Sequence, residues 1–391
     1  MEFLGYERPD GTVGIRNKIL IVSVDECCDG IARKIGESSK NTVILTNWYT
    51  CMLGGNEETF NQLIEVSKSP NIASVLIIAM GCGSILPEQI ADPVKLTGKP
   101  VKTLTCQKAG GTIKTIEKGK IIIREMDNYI KNLKLKKFSI DRLIIGVKCG
   151  GSDTSSGIAS NPSVGSAVDK LIDMGATCIG GELFELQGCN NILFQRAVSD
   201  KVKEKIEKLI DNEKRRWSVE GTDIETMSIG NSIGGLTTIE EKSLGALHKM
   251  GTKPIQDVLQ INKNFIEKPT KPGFYLSEVT MLCGGAGVNF ASLGAHIILW
   301  TSGAAGFNNA IVPVIRVSGN SEMINDDIDV DVSDIMKGKI GINQGSELII
   351  QKILEVANGL PTKIENYGDS TMTLYQKDQR VEKLLNLKCI K

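Results

Sequence analysis

The fold is decided by residues 143–162, which read LIIGVKCGGSDTSSGIASNP. The apolar run at the start of this segment predicts a buried strand, and the small polar residues that follow predict a loop. Pro162 suits the first turn of a helix, and Asn161 is expected to cap it. A strand, a glycine-rich loop and a helix in this order form the repeating unit of a parallel α/β sheet.

The same unit recurs along the chain on both sides of this segment. Continuous apolar runs predict strands at 18–24, 43–46, 73–79, 101–104, 142–147, 177–179, 295–301 and 311–317. Helical patterns occupy 57–68, 111–133, 162–174, 196–216 and 346–358. We therefore predict an α/β protein with two Rossmann-like parallel-sheet domains in tandem.

The expected domains are residues 1–137 and 138–391, joined at the basic stretch 131–137. The second domain carries the Cys149 loop and a Gly/Thr-rich segment, 220–273, that is expected to be a long functional loop region. Within that segment, Thr238 and Glu241 have the spacing of a capping box that opens a helix.

Composition excludes several classes of partner. Lys plus Arg and Asp plus Glu both number 46, and only 5 % of residues are aromatic; neither value indicates a nucleic-acid surface. Apolar runs fall short of the roughly 20 residues of a membrane helix. The ten scattered cysteines and the absence of a signal-peptide pattern predict a reduced, cytoplasmic protein.

Cysteines follow four of the predicted strands, at positions 27, 51, 82 and 149. Because parallel strands end at one edge of their sheet, these thiols are expected to converge there. Thiolates in such a group favour iron or an iron–sulfur cluster. The alternative is that they are small buried residues, because free cysteine is often buried.

Two further loops follow predicted strands. Glu182 and Glu185 lie three residues apart, as a general base or hard-metal ligand requires, although helix N-terminal carboxylates have the same pattern. Gly303 lies in a glycine-rich loop that could bind a carboxylate through backbone N–H groups or could simply be a turn. Neither G-x-G-x-x-G nor the P-loop pattern is present, so the usual nucleotide signatures are missing.

Four segments together resemble the altronate and galactarate dehydratase family, in its large catalytic region. They are GYERPDGTVGIRN at 5–17, the Cys149 loop, GGLTTIEEKSLG at 234–245 and VPVIRVSGN at 312–320. The resemblance implies a metal-dependent hydro-lyase that eliminates water from a small 2-hydroxy (sugar) acid to give a 2-keto acid. The implied cofactor is a divalent metal, Fe²⁺ in preference to Mn²⁺ or Mg²⁺, or an iron–sulfur cluster.

The resemblance also implies a partner. Family dehydratases usually begin with a small SAF-type domain that this sequence does not contain, and split relatives such as sulfolactate sulfo-lyase carry it on a separate polypeptide. We therefore expect a small SAF-domain subunit and an oligomer. The family often has a His just before the cysteine that matches Cys51, where this sequence has NWYT at 47–50. A sulfo-lyase, a non-catalytic sugar-acid-binding protein and a redox carrier are the alternative functions.

These considerations assign roles to particular residues. We expect Lys148, Glu182 and Lys242 to be catalytic. The expected substrate-binding residues are Gly150, Gly151, Ser152, Asp153, Asn161 and Gly303. The expected metal ligands are Cys27, Cys51, Cys82 and Cys149.

Overall fold

The computed structural model describes residues 1–48, 50–51, 57–217, 227–262, 264–303, 306–367 and 370–375 of the chain. Its strands are β1 (Glu2–Glu7), β2 (Val13–Gly14), β3 (Lys18–Ser23), β4 (Thr42–Thr46), β5 (Ile72–Ala79), β6 (Val101–Thr105), β7 (Lys136–Ser139), β8 (Ile144–Cys149), β9 (Thr177–Gly180), β10 (Ile255–Leu259), β11 (Gly273–Ser277), β12 (Ile297–Thr301), β13 (Val314–Ser318) and β14 (Val330–Asp331). Its α-helices are α1 (Asp29–Gly36), α2 (Glu57–Ser67), α3 (Pro87–Lys95), α4 (Cys106–Ala109), α5 (Thr112–Lys131), α6 (Asn161–Asp173), α7 (Asn190–Gln195), α8 (Asp200–Trp217), α9 (Ile229–Ile233), α10 (Ile239–His248), α11 (Cys283–Ser292) and α12 (Ile342–Ala357).

The first sheet has four parallel strands in the order β4-β3-β5-β6. Helices α1 and α5 pack on one face, and α2 and α3 cover the other. All eight residues of β5 are buried, as expected for a central strand covered on both faces. No described helix is long and apolar enough to cross a bilayer.

The second sheet has seven strands in the order β10-β11-β9-β8-β12-β13-β14, and every pairing in it is parallel. Strand β8 lies at its centre, between β9 and β12, so the loops after these strands meet at one edge. The tandem α/β architecture predicted from the apolar runs is confirmed by the two parallel sheets.

A small antiparallel sheet, β2-β1-β7, connects the two parallel sheets. The expected join at 131–137 leads directly into β7, which pairs with β1 near the chain start. An apolar core shared by both halves runs between α2 and α11 and includes Leu20, Val75, Phe290 and Trp300. The two α/β units are therefore packed against each other through a common core.

Two local predictions are wrong. Asn161 does not cap a helix, because the chain is already helical from Thr154 through a π-helical turn, Ser156–Ser160, that runs into α6. Segment 220–273 is not one long loop, because its described part contains α9, α10 and β10. Strand β10 was missed because its five residues, IQDVL, contain two polar side chains and give no continuous apolar run.

Candidate active site

Lys148 and Cys149 end β8 at the centre of the second sheet, and both are buried. The Lys148 ammonium forms an ion pair with Glu182 and donates a hydrogen bond to the Met281 carbonyl over 3.0 Å. It also lies 5.0 Å from the centroid of the Trp300 ring, in cation–π range. These contacts fix the ammonium group at the edge of the sheet.

Glu182 follows β9, the neighbour of β8, and has a left-handed backbone with φ of 59° and ψ of 53°. No other described non-glycine residue has a positive φ. Such a conformation costs about 1–3 kcal/mol and is characteristic of functional positions. It brings the Glu182 carboxylate to Lys148 and to the Cys149 backbone N–H, which donates to it over 2.9 Å.

The Cys149 side chain contacts both an acid and a base. Its thiol donates a hydrogen bond to the Glu185 carboxylate. The Lys249 ammonium donates to the Cys149 sulfur over 3.0 Å and to Glu185 over 3.3 Å. Lys249 is completely buried, so this contact is shielded from water.

Lys242 approaches Glu185 from α10. That helix begins as predicted, because the Thr238 hydroxyl accepts a hydrogen bond from the Glu241 N–H over 3.2 Å. The Lys242 ammonium donates to Glu185 over 2.8 Å and to the Ser152 hydroxyl over 3.3 Å. Two buried lysines thus share one carboxylate.

The site has an excess of positive charge when the Cys149 thiol is neutral, because three ammonium groups face the carboxylates of Glu182 and Glu185. Burial would raise the pKa of Glu185, but Lys242 and Lys249 outweigh it and lower that pKa to about 2. Burial alone would lower the pKa of Lys242, but Glu185 and Cys149 raise it. The opposite holds for Lys148, where burial outweighs the nearby anionic groups and lowers the pKa to about 8.

These groups lie against a cavity of about 350 Å³. Among its lining residues are Lys148, Cys149, Gly150, Gly151, Glu182, Glu185, Asn231, Lys242, Cys283 and Trp300. A cavity of this volume is in the range of small-molecule sites, and its charged groups lie on one side of it. The arrangement can bind a small anion and offer it a lysine whose pKa is close to neutral.

Asp153 organises the loop after Cys149. Its Oδ1 accepts hydrogen bonds from the Ser155 hydroxyl and from the Ser156 hydroxyl and N–H, and its Oδ2 accepts one from Asn320, each over 2.8 Å. A Cβ on Gly303 would lie 2.0 Å from Asp153 Cγ, so only glycine allows this approach. Gly303 and Asp153 therefore shape the loop through their contact with each other.

The expected substrate-binding residues fall into two neighbouring places. Gly150 and Gly151 line the 350 Å³ cavity, whereas Ser152, Asp153 and Asn161 line a second cavity of about 210 Å³. Lys242 lines both cavities. The Asn161 amide donates to the Gly245 carbonyl over 2.9 Å, which ties α6 to α10.

Cys149, Glu182 and Glu185 could hold a metal ion, because one ligand atom from each lies within 4.8 Å of the other two. All three are buried, and a thiolate with two carboxylates suits a divalent transition metal. The same carboxylates already contact Lys148, Lys242 and Lys249. An ion bound there would replace ammonium groups as the counter-charge.

The four predicted thiol ligands do not form one ligand set. Cys149 is buried in the second sheet, while Cys27, Cys51 and Cys82 are exposed and follow β3, β4 and β5 of the first sheet. In the described part of the chain, the group around Cys149 is the only one with three ligand atoms mutually within 4.8 Å. The prediction failed to separate them because strand ends of two different sheets look alike in sequence.

Sequence reasoning missed Lys249, and it left Glu185 without a specific role. Lys242 and Lys249 are seven residues apart, which places them on one face of a helix about two turns from each other. That spacing, after a capping box, is a signal that could have identified the pair. The capture of Glu185 by both lysines could not be read from sequence, because it depends on how α10 packs on the second sheet.

Comparison with known proteins places the whole chain in one group. The model for the second domain of D-galactarate dehydratase/altronate hydrolase matches residues 5–131, and that for the C-terminal region of D-galactarate/altronate dehydratase matches residues 140–380. The chain is 31% identical to the (2R)-sulfolactate sulfo-lyase subunit beta of Chromohalobacter salexigens, over 95% of this chain and 96% of the relative. It is 32% identical to altronate dehydratase of Bacillus subtilis, over 82% of this chain and 66% of the relative. It is 29% identical to altronate dehydratase of Escherichia coli, over 91% of this chain and 74% of the relative.

Proposed function

The chain belongs to the D-galactarate/altronate dehydratase family, and we propose that it is a lyase that removes water from a small 2-hydroxy acid to give a 2-keto acid. The observation that supports this reaction best is the buried group formed by Lys148, Lys242 and Lys249 with Glu182 and Glu185 beside a small cavity. Its positive excess suits an anionic acid, and its lysines have divergent pKa values.

Substrate binding is assigned to the cationic side of the cavity. The pKa of Lys242 is raised, mainly by Glu185, so this lysine stays an ammonium at neutral pH. It lies where it can bind the carboxylate of the substrate and stabilise the negative charge that develops when the adjacent proton leaves. The N–H groups of Gly150 and Gly151 are assigned to the same carboxylate.

Proton transfer is assigned to Lys148. With a pKa of about 8, roughly one tenth of this lysine is neutral at pH 7, which is sufficient for a general base. The C2–H proton passes to Lys148 while its electron pair forms the C2–C3 double bond. The C3 hydroxyl leaves as water, taking a proton from the protonated Lys148, and the enol then takes a proton at C3 to become the keto acid. Glu182 holds the Lys148 amine in position.

A divalent metal fits the chemistry of the ligand set. Cys149, Glu182 and Glu185 would hold it, and Fe²⁺ suits their mixture of sulfur and oxygen better than Mg²⁺. When bound, such an ion acts as a Lewis acid toward the oxygens of the substrate. Ser152, Asp153, Asn161 and Gly303 are assigned to shaping the wall of the cavity.

A separate small subunit is proposed as the partner. The sulfo-lyase relative is itself named as a beta subunit, and the chain spans 96% of that protein but only 66% of the Bacillus dehydratase. The missing part corresponds in the resemblance to the SAF-type domain. We therefore propose that a SAF-type polypeptide completes the enzyme.

Release of sulfite from sulfolactate is the second candidate reaction. It is favoured by the nearly full-length match to the sulfo-lyase subunit. Both reactions begin with removal of the proton at C2, so the roles of Lys148 and Lys242 are the same in each. They differ in the group expelled from C3.

The test is to co-express the chain with a SAF-type small subunit and to measure 2-keto acid and sulfite from altronate, galactarate and sulfolactate. Keto acid without sulfite supports the dehydratase, and keto acid with equal sulfite supports the sulfo-lyase. Lys148→Met should abolish either product, whereas Lys34→Met, which alters an exposed ion pair, should not. Binding of an acid without turnover would overturn both reactions in favour of a sugar-acid-binding protein.

A further inference from the structure

Three exposed thiols lie on loops at the carboxyl edge of the first sheet. Cys51, Cys27 and Cys82 follow β4, β3 and β5, which are adjacent in the sheet. Cys106 follows β6 at the same edge but is buried. Nothing in the reaction proposed for the second sheet uses the exposed three.

The loops that carry these thiols interlock. The Thr50 hydroxyl donates a hydrogen bond to the Val24 carbonyl, and the Thr50 carbonyl accepts one from the Ser84 hydroxyl. A Cβ on Gly83 would lie 2.5 Å from the Thr50 methyl group and 2.1 Å from Asp25 Oδ1. Each thiol is therefore within two residues of a mutual contact among Asp25, Thr50 and Gly83.

Asp25 provides an independent sign of a ligand at this edge. It is 2 % exposed, and its Oδ2 accepts a hydrogen bond from the Met80 N–H over 2.7 Å. Its Oδ1 is buried, has no hydrogen-bond partner and faces the Gly83 backbone beside Cys82. In the described residues Asp25 forms no ion pair, whereas Glu182 and Glu185 are neutralised by lysines. Anionic groups without a counter-charge favour a bound cationic centre.

We propose that Cys27, Cys51 and Cys82 bind an iron–sulfur cluster at this edge. Thiolates without nearby imidazole are the ligand type of such clusters; both histidines, His248 and His296, lie in the second half of the chain. The three sulfurs are not mutually within 4.8 Å, a wider spacing than a single tetrahedral ion with sulfur ligands at about 2.3 Å requires. A cluster spaces its thiolates farther apart because several iron and sulfide ions lie between them.

The assignment separates two centres that share the carboxyl-edge position on different sheets. Cys149 is held by Glu185 and Lys249, so its sulfur is already satisfied. The three thiols of the first sheet have the solvent access that insertion of a preformed cluster needs. The proposal does not depend on which acid the enzyme uses.

The experiment is to purify the full chain, with its small partner where the complex forms, under anaerobic conditions and to measure iron, acid-labile sulfide and visible absorption. We expect iron and sulfide in equal amounts, with broad thiolate-to-iron absorption. Cys27→Ser, Cys51→Ser and Cys82→Ser should each lower the bound iron and sulfide about tenfold.

Cys106→Ala is the matched control, because this cysteine follows the fourth strand of the same edge but is buried. It and Cys149→Ser should keep the cluster. Circular dichroism of each variant distinguishes loss of the cluster from loss of the fold. Protein without labile sulfide, one zinc ion in place of the cluster, or loss of the cluster in Cys149→Ser but not in the three variants would overturn the proposal. None of these results bears on turnover at Lys148, so failure here leaves the proposed lyase reaction standing.

Discussion

The Lys249 ammonium lies 3.0 Å from the Cys149 sulfur, and both groups are buried beneath the floor of the cavity. The same ammonium reaches Glu185 over 3.3 Å, so one lysine connects a thiol and a carboxylate from different loops. Lys242 and Lys148 complete the set from α10 and β8. The site is therefore an alternating arrangement of positive and negative groups, and each group depends on its partners for its charge state.

Lys148→Met should remove activity and also destabilise the protein. The substitution leaves the buried Glu182 carboxylate without its ion-pair partner, and breaking a buried pair on one side costs about 3–5 kcal/mol. The double variant Lys148→Met with Glu182→Gln should recover much of that stability while remaining inactive. Denaturant unfolding with the keto-acid assay measures both effects. A double variant as active as wild type would remove Lys148 from the reaction.

Activity should rise with pH through an apparent pKa near 8, because the base form of Lys148 is the reactive one. Since the folded pKa lies below the ordinary value of 10.5 for lysine, the unfolded chain binds more protons between these values. The contribution of Lys148 to the free energy of unfolding therefore also increases as pH rises through this window. A pH profile of kcat/KM that is flat from pH 6.5 to 9 would contradict the assignment.

Glu185 should make the protein sensitive to acid. Its pKa of about 2 lies below the ordinary value of 4.5, so its stabilising effect is present above pH 4.5 and is lost as pH falls toward 2. Glu185→Gln should flatten this part of the stability curve. Melting temperatures of both proteins between pH 3 and 6 provide the measurement, and parallel curves would show that the carboxylate is not held by the two lysines.

The backbone at Glu182 should reveal its strain through a comparison of two variants. Glu182→Gly and Glu182→Ala both remove the carboxylate, but only glycine adopts the left-handed conformation freely. The glycine variant should therefore be more stable than the alanine variant by about 1 kcal/mol. Equal stabilities would mean that the backbone relaxes there.

Gly303→Ala should disrupt the Cys149 loop, because its Cβ would meet Asp153 Cγ at 2.0 Å. The displaced Asp153 would lose hydrogen bonds to Ser156 and Asn320, and we expect destabilisation of about 2 kcal/mol or more. Gly30→Ala is the control, because a Cβ there meets nothing within 4 Å. Similar melting temperatures for the two variants would contradict the close approach.

The sequence was sufficient for the sheets but not for the distribution of the site between them. Strand β5 was predictable because all its residues are buried and apolar or small, and α10 because Thr238 and Glu241 mark its start. The position of Lys148, Cys149 and Glu182 after neighbouring strands was predictable for the same reason. Lys249 was not, because only the packing of α10 turns its side chain toward Cys149. The thiols of the first sheet were grouped with Cys149 because local patterns do not say which sheet a strand joins.

The most direct test of the proposed reaction is to run the turnover of a 2,3-dihydroxy acid, or of sulfolactate, by the two-subunit enzyme in deuterated water and to examine C3 of the product. If Lys148 removes the C2 proton and the enol is protonated afterwards, the keto acid should carry solvent deuterium at C3, and Lys148→Met should form no product. A keto acid whose C3 holds the original C2 hydrogen, transferred within the substrate, would contradict proton abstraction by this site.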